Sequence, residues 1–144
     1  MMFERLFENT VIPLLSRVVS FTQARHRTIV SNIANADTPG YQTQDVAESE
    51  FERQLREAAE AQERQPARDF RLRSSAHNRV MRDGRVVFEP VPSADAGAPD
   101  SQGNNVNLER EIVALIENTM RHNTALELMR KQFSLIEVAI RERV

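Results

Sequence analysis

Apolar residues recur at both ends of the chain with helical spacing, and the middle lacks that rhythm. Leu108, Ile112, Leu115, Thr119, His122, Leu126, Met129, Phe133, Ile136 and Ile140 follow alternating steps of four and three without a break. This is the a/d pattern of a helix that packs along one seam, and a helix of that span is roughly 50 Å long. Gly103, Asn104 and Asn105 predict a loop before it. Asn107 is placed to cap the first turn, where Glu109 and Glu111 suit the helix dipole, and Arg141 and Arg143 carry the favourable sign at the other end.

The N-terminal end follows the same rule. Ile12, Leu15, Val19, Thr22, His26, Ile29, Ile33 and Ala36 step by three and four, and a second row of Phe7, Val11, Leu14, Val18 and Phe21 widens the apolar face. Pro13 fits a first turn, so the regular helix is expected to begin near Ile12. It stops at Asp37-Thr38-Pro39-Gly40, because proline disfavours helix at Thr38 and Pro39-Gly40 suits the centre of a type II turn. Residues 45–65 predict a solvated helix with a thin stripe of Phe51, Leu55 and Ala58. Residues 79–88 predict a β-hairpin closed by a two-residue Asp83-Gly84 turn. Three prolines, two glycines and small polar residues between 90 and 105 predict a mobile linker.

The expected fold is mainly α: long N- and C-terminal helices packed antiparallel as a coiled-coil-like pair, with a small mixed insert containing a β-hairpin. The division is an N-terminal assembly helix (1–38), a variable middle with hairpin and flexible linker (39–105), and a C-terminal assembly helix (106–144). Neither long helix buries its stripe alone. An antiparallel pair covers a single seam, so the face from Phe7 to Phe21, and Val113, Ile116 and Met120 beside the C-terminal row, are expected to meet other subunits.

Composition narrows the chemistry. The chain has no cysteine, which excludes disulfides, thiolate catalysis and cysteine-based zinc sites. Its net charge is −2 with interspersed signs, which provides no field for nucleic acid. No stretch approaches the ~20 apolar residues of a membrane helix. The N-terminus does not read as a cleavable signal peptide, since Glu4 and Glu8 replace a basic segment and Pro13 breaks the apolar run. His26, His77 and His122 lie in different segments, and no acidic residue falls at a spacing that completes a metal site with them. With no phosphate loop, nucleophile elbow or paired catalytic acids, the chain is expected to be no enzyme, with no catalytic residue, cofactor, metal or small-molecule substrate.

One segment is specific. Ser31, Asn32, Ile33, Ala34, Asn35, Ala36, Asp37, Thr38, Pro39, Gly40 and Tyr41 resemble the SNxANxxTPGY signature that ends the first helix of bacterial flagellar rod and hook axial proteins. Its small residues permit close approach, its asparagines can bridge backbone groups, and Tyr41 supplies an anchor beyond the turn. Gly103 to Ile112 resemble the GNNVDLExEM segment of the proximal-rod, FlgB-type branch, with Asn107 for the usual Asp and Ile112 for Met. Asn118 and His122-Asn123 lie where that branch carries an Asn and a Tyr-Asn pair, and Ser75-Ala76-His77 resembles its stretch before the hairpin.

The resemblance implies a structural subunit of the proximal rod in the periplasmic part of the flagellar basal body, exported by the type III apparatus without a cleavable signal peptide. It polymerises through its terminal helices to transmit motor torque. Implied partners are further copies of itself, other rod subunits, the rod-base adaptor protein and the export gate. The implied assembly interface comprises Leu15, Val19, Ile29, Ile33, Asn105, Val106, Leu108, Glu109, Ile112, Leu115, Leu126, Phe133, Ile136 and Ile140. Two alternatives are the sister FlgC-type rod protein, whose PNVN-like run is absent, and a cytoplasmic coiled-coil adaptor, which explains the heptads but not residues 31 to 41.

Overall fold

The computed structural model describes residues 11–65 and 70–141, over which the chain is mainly helical. Phe7 and Arg143 lie outside the described residues. Helix α1 spans Ile12–Ala34, α2 spans Glu48–Arg64 and α3 spans Leu108–Arg141. Among the described residues there are also four short strands: β1 (Gln44–Val46), β2 (Asn78–Val80), β3 (Val86–Phe88) and β4 (Pro90–Pro92). They pair antiparallel as two separate ribbons, β1 with β4 and β2 with β3.

Helix α1 starts with Pro13 in its first turn, where a missing N–H costs no helical bond. It ends at Ala34, a few residues before the predicted stop, because Asn35 caps it: the Asn35 side chain donates to the Ser31 carbonyl at 2.8 Å. The turn beyond is as expected. Gly40 has φ +72° and the Tyr41 N–H donates to the Thr38 carbonyl at 3.2 Å, as a type II turn with Pro39-Gly40 at its centre requires.

Helix α1 lies between two partners. Leu14, Val18 and Phe21 point into a core shared with Val46, Phe51, Phe70, Leu72 and Val86 of the middle segment. Phe21 and Phe51 stack with centroids 4.1 Å apart, and Phe88 meets both rings edge-on at 5.3 and 5.4 Å. From Leu14 to Phe21 the apolar face of the first helix that was expected to await other subunits is thus covered by the chain's own insert, while Val11 stays exposed. Phe51 is the residue that turns α2 from a solvated helix into a lid.

The other side of α1 meets α3. Asn32 bonds Glu111, and Thr22 bonds Asn118 and lies beside His122, so the two helices run in opposite directions. The rows that meet differ from the most apolar rows. The less exposed positions of α3 are Glu111, Ala114, Leu115, Asn118, His122, Ala125, Leu126, Met129, Gln132 and Ile136, while Leu108, Ile112, Thr119, Phe133 and Ile140 are exposed. On α1, Leu15, Thr22 and Ile29 are buried as predicted, but Asn32 rather than Ile33 is fully enclosed, and His26 is exposed.

Two further expectations change. The hairpin closes with three residues, Arg82-Asp83-Gly84: Met81 N–H bonds the Arg85 carbonyl at 2.8 Å and Gly84 N–H bonds the Met81 carbonyl at 3.0 Å. Only Gly84 takes a positive φ (+80°), whereas a two-residue Asp-Gly turn of type I′ needs Asp83 there as well. The predicted linker is tied down. Pro90–Pro92 forms β4, with Val91 opposite Asp45, and Ser93 N–H bonds the Thr43 carbonyl at 2.9 Å. Prolines are tolerated on such an edge because their missing N–H faces away from the partner.

Replacing Phe51 with Ala removes the ring that both stacks on Phe21 and receives the edge of Phe88. Guanidinium unfolding of the variant should show a loss of about 3–5 kcal/mol, and Phe51→Leu should lose markedly less.

Candidate assembly site

The family-like segment and the start of α3 are two halves of one polar junction. Asn32 has no solvent exposure. Its side-chain nitrogen donates to the Gln44 carbonyl at 2.7 Å and to Glu111 Oε2 at 2.8 Å. Its side-chain oxygen accepts the Gln44 N–H at 3.1 Å and the Tyr41 hydroxyl at 3.0 Å. The amide therefore pairs with both backbone groups of Gln44 as a neighbouring strand would, and uses every donor and acceptor it has.

From the other side, Asn104 reaches back to the end of α1. Its side-chain nitrogen donates to the Asn35 and Thr38 carbonyls at 3.0 and 2.8 Å, satisfying acceptors left over at the helix end. Asp100 shapes the loop that presents it, with Oδ1 accepting the N–H groups of Gln102 and Asn104. Asn105 Oδ1 accepts the Thr43 N–H at 2.7 Å. Two glycines with positive φ face each other here: a Cβ on Gly103 (φ +80°) would sit 3.6 Å from Gly40 Cα, so the turns interlock at van der Waals distance. Asn107 caps α3 as expected, accepting the Arg110 N–H at 3.0 Å.

Charge ties the junction to the insert. Arg25 donates to both oxygens of Asp45 at 3.1 and 3.0 Å and contacts Glu48 at 2.7 Å. Glu48 sits in the first turn of α2 and also receives Arg121 of α3. This chain of charges joins α1, α2, α3 and β1. In the sequence these four residues look like ordinary solvated charges, and no local spacing relates them. Burial pushes the Glu111 carboxyl above its usual range; the Asn32 hydrogen bond opposes that, Asp45 adds to it and Arg25 opposes it.

The junction gathers the predicted motif. Asn32, Asn35, Thr38, Gly40 and Tyr41 make its bonds, Ser31 supplies a carbonyl, and Ile33 and Ala36 are half-buried. Ala34, Asp37 and Pro39 are exposed. Of the residues expected to form an assembly interface, Leu15 and Ile29 are buried. Val19, Ile33, Asn105, Val106, Leu115, Leu126 and Ile136 are half-buried, and Leu108, Glu109, Ile112, Phe133 and Ile140 are exposed. Beside them α3 presents Val113, Ile116 and Met120, which are 54%, 55% and 64% exposed. Exposed apolar side chains thus lie on the side of α3 away from α1. Among the described residues, no group of three metal-ligating side chains converges and no helix is long and apolar enough to cross a membrane.

Known proteins fix the class. Residues 20–42, the end of α1 and the junction turn, match the family described as flagella basal body rod protein. A flagellar basal body rod protein FlgB of Yersinia enterocolitica is 30% identical over 109 residues, covering 73% of this chain and 74% of that one. The FlgB proteins of Aquifex aeolicus and Bacillus subtilis are each 24% identical, over 92% and 94% of this chain and 94% and 95% of theirs. These matches make the chain a structural rod subunit of the flagellar basal body. Within that class, the chain belongs to the FlgB family.

Glu111 yields a pH-dependent expectation. A carboxyl whose value is raised by folding contributes stability that is fully present below its unfolded value and is lost as pH rises through the folded one. Glu111→Gln keeps an acceptor for Asn32 without the charge. The variant should match the parent at low pH and become the more stable of the two as pH rises above the carboxylate range, read from melting temperatures across pH 3.5–8.

Proposed function

We propose that this chain polymerises in the proximal rod through the outward faces of α3, while the α1–α3 pair, in coiled-coil-like fashion, serves as the rigid body of each subunit. The observation that carries this is apolar exposure on more than one side of α3. Val113, Ile116 and Met120 face away from α1, and Leu108, Ile112 and Ile140 are exposed along a neighbouring row. Apolar side chains exposed on several faces of a helix gain stability when neighbours surround it. A tube of subunits surrounds it, and burial at about 25 cal/mol per Å2 then adds to every contact.

Partners on this reading are further copies of the chain, other rod subunits, the rod-base adaptor and the export gate. The place of action is the periplasmic rod, reached by type III export without a cleaved signal. The role is mechanical and non-catalytic: the subunit transmits motor torque.

Ile116→Asp with Met120→Asp tests the reading. Both positions are exposed in the single chain, so the purified variant should keep its circular dichroism and melt within about 0.5 kcal/mol of the parent. In cells deleted for the gene, the parent should restore rods and swimming and the variant should not. Swimming in the deletion strain itself would sink the reading.

A further inference from the structure

We infer that polar groups along the α1–α3 seam choose which face of α3 meets α1, and that they do so against hydrophobicity. Two rows on α3 compete for α1. They share Leu108, Leu115, His122, Met129 and Ile136. At the remaining positions the row facing α1 carries Glu111, Asn118, Ala125 and Gln132, whereas the competing row carries Ile112, Leu126, Phe133 and Ile140 with Thr119, of which only Leu126 is half-buried. Because they share every second position, the two faces differ by a rotation of about 50° around the helix. On apolar area alone the competing row would win.

The chosen face has hydrogen bonds that the other rotation cannot make. Asn118, almost fully buried, donates to the Thr22 carbonyl at 2.8 Å. Thr22 Oγ1 lies 2.8 Å from His122 Nδ1 and 3.0 Å from the carbonyls of Val18 and Val19. The hydroxyl has a single hydrogen, and when it goes to either carbonyl the imidazole Nδ1 is the donor. Asn32 adds the bond to Glu111 at 2.8 Å. These contacts recur roughly every one to two turns along the seam, so each constrains the same rotation.

The layer does not maximise stability. Asn118 Oδ1 is buried with no hydrogen-bond partner among the described residues, which costs free energy that an apolar residue would not. A buried asparagine that selects one helix pairing at the expense of stability is a known device in helical coils. Here its effect is to turn the more apolar row outward. On the assembly reading above, that row remains available to neighbouring subunits instead of being consumed within the chain. Asn118, Thr22, His122 and Glu111 are thus positioning residues for assembly.

The rotation can be read without any assembly. The chain has no cysteine, so a single thiol reports its own accessibility. Ala125 is 4% exposed and Ile112 is 45% exposed. In the otherwise unchanged isolated chain, Ala125→Cys should react with a disulfide reagent at least about tenfold more slowly than Ile112→Cys. In a Glu111→Ala, Asn118→Ala background, which removes two couplings without making the competing row more apolar, that ratio should fall to near one or invert while circular dichroism still reports the helices.

An unchanged ratio with intact helices overturns the inference. If the double variant loses its helices, Thr22→Val decides, since it removes the hydroxyl and preserves the volume. A several-fold fall in its ratio supports the inference and an unchanged ratio overturns it. The assembly reading is judged separately by swimming of the Ile116→Asp, Met120→Asp strain, so either idea can fail while the other stands.

Discussion

The fully bonded amide of Asn32 is the constraint on which the rest of the structure depends. Its side chain touches the turn after α1, the first strand and the first turn of α3 at once. A buried amide left without partners is costly, so its four bonds are accepted or refused together. Once they form, Gln44 is aligned for β1 and Glu111 is drawn against α1. The bonds of Asn104 to Asn35 and Thr38 then close the other side of the same junction.

From that fixed point the two faces of α1 acquire different chemistry. Toward the insert the core contacts are aromatic, with Phe21, Phe51 and Phe88 in mutual contact and Arg17 and Arg25 bonding at its margin. Toward α3 they are mixed, with Thr22, Asn32 and Asn118 buried among Leu15, Ile29 and Ala125. Dispersion and area burial dominate the first and tolerate small shifts. Directional bonds dominate the second and do not. The subunit therefore couples a stabilising core on one side of α1 to an orienting seam on the other.

Much of this was legible in the residues. The length of both terminal helices follows from unbroken three-four spacing, the start of α1 from Pro13, and the turn at Gly40 from Pro39-Gly40. The run from Ser31 to Tyr41 pointed to its family, and residues 20–42 match it. The rotation of α3 was not legible, because apolar periodicity identifies the most hydrophobic row, and the face taken against α1 is set by hydrogen bonds to residues 79 to 100 positions away. The Arg25–Asp45–Glu48–Arg121 chain was hidden for the same reason. The packing of the middle segment depended on Phe51 meeting Phe21 and Phe88, a long-range event that a weakly patterned helix does not announce. The hairpin turn was misread by one residue because Asp-Gly serves both closures and only the backbone angle at Asp83 separates them.

The position of the polar junction at one end of the α1–α3 pair has a mechanical consequence. When one helix is pulled lengthwise past the other, the bonds of Asn32, Asn104 and Asn105 are strained side by side and share the force. A zipper peeled from its tip breaks one tooth at a time, whereas a lap joint fails only when all of its rivets yield together. Gly40 and Gly103, so close that a Cβ on Gly103 would touch Gly40 Cα, bring the two plates of this joint flush. For a component of a rotating shaft, that places the greatest resistance to sliding where the chain doubles back on itself.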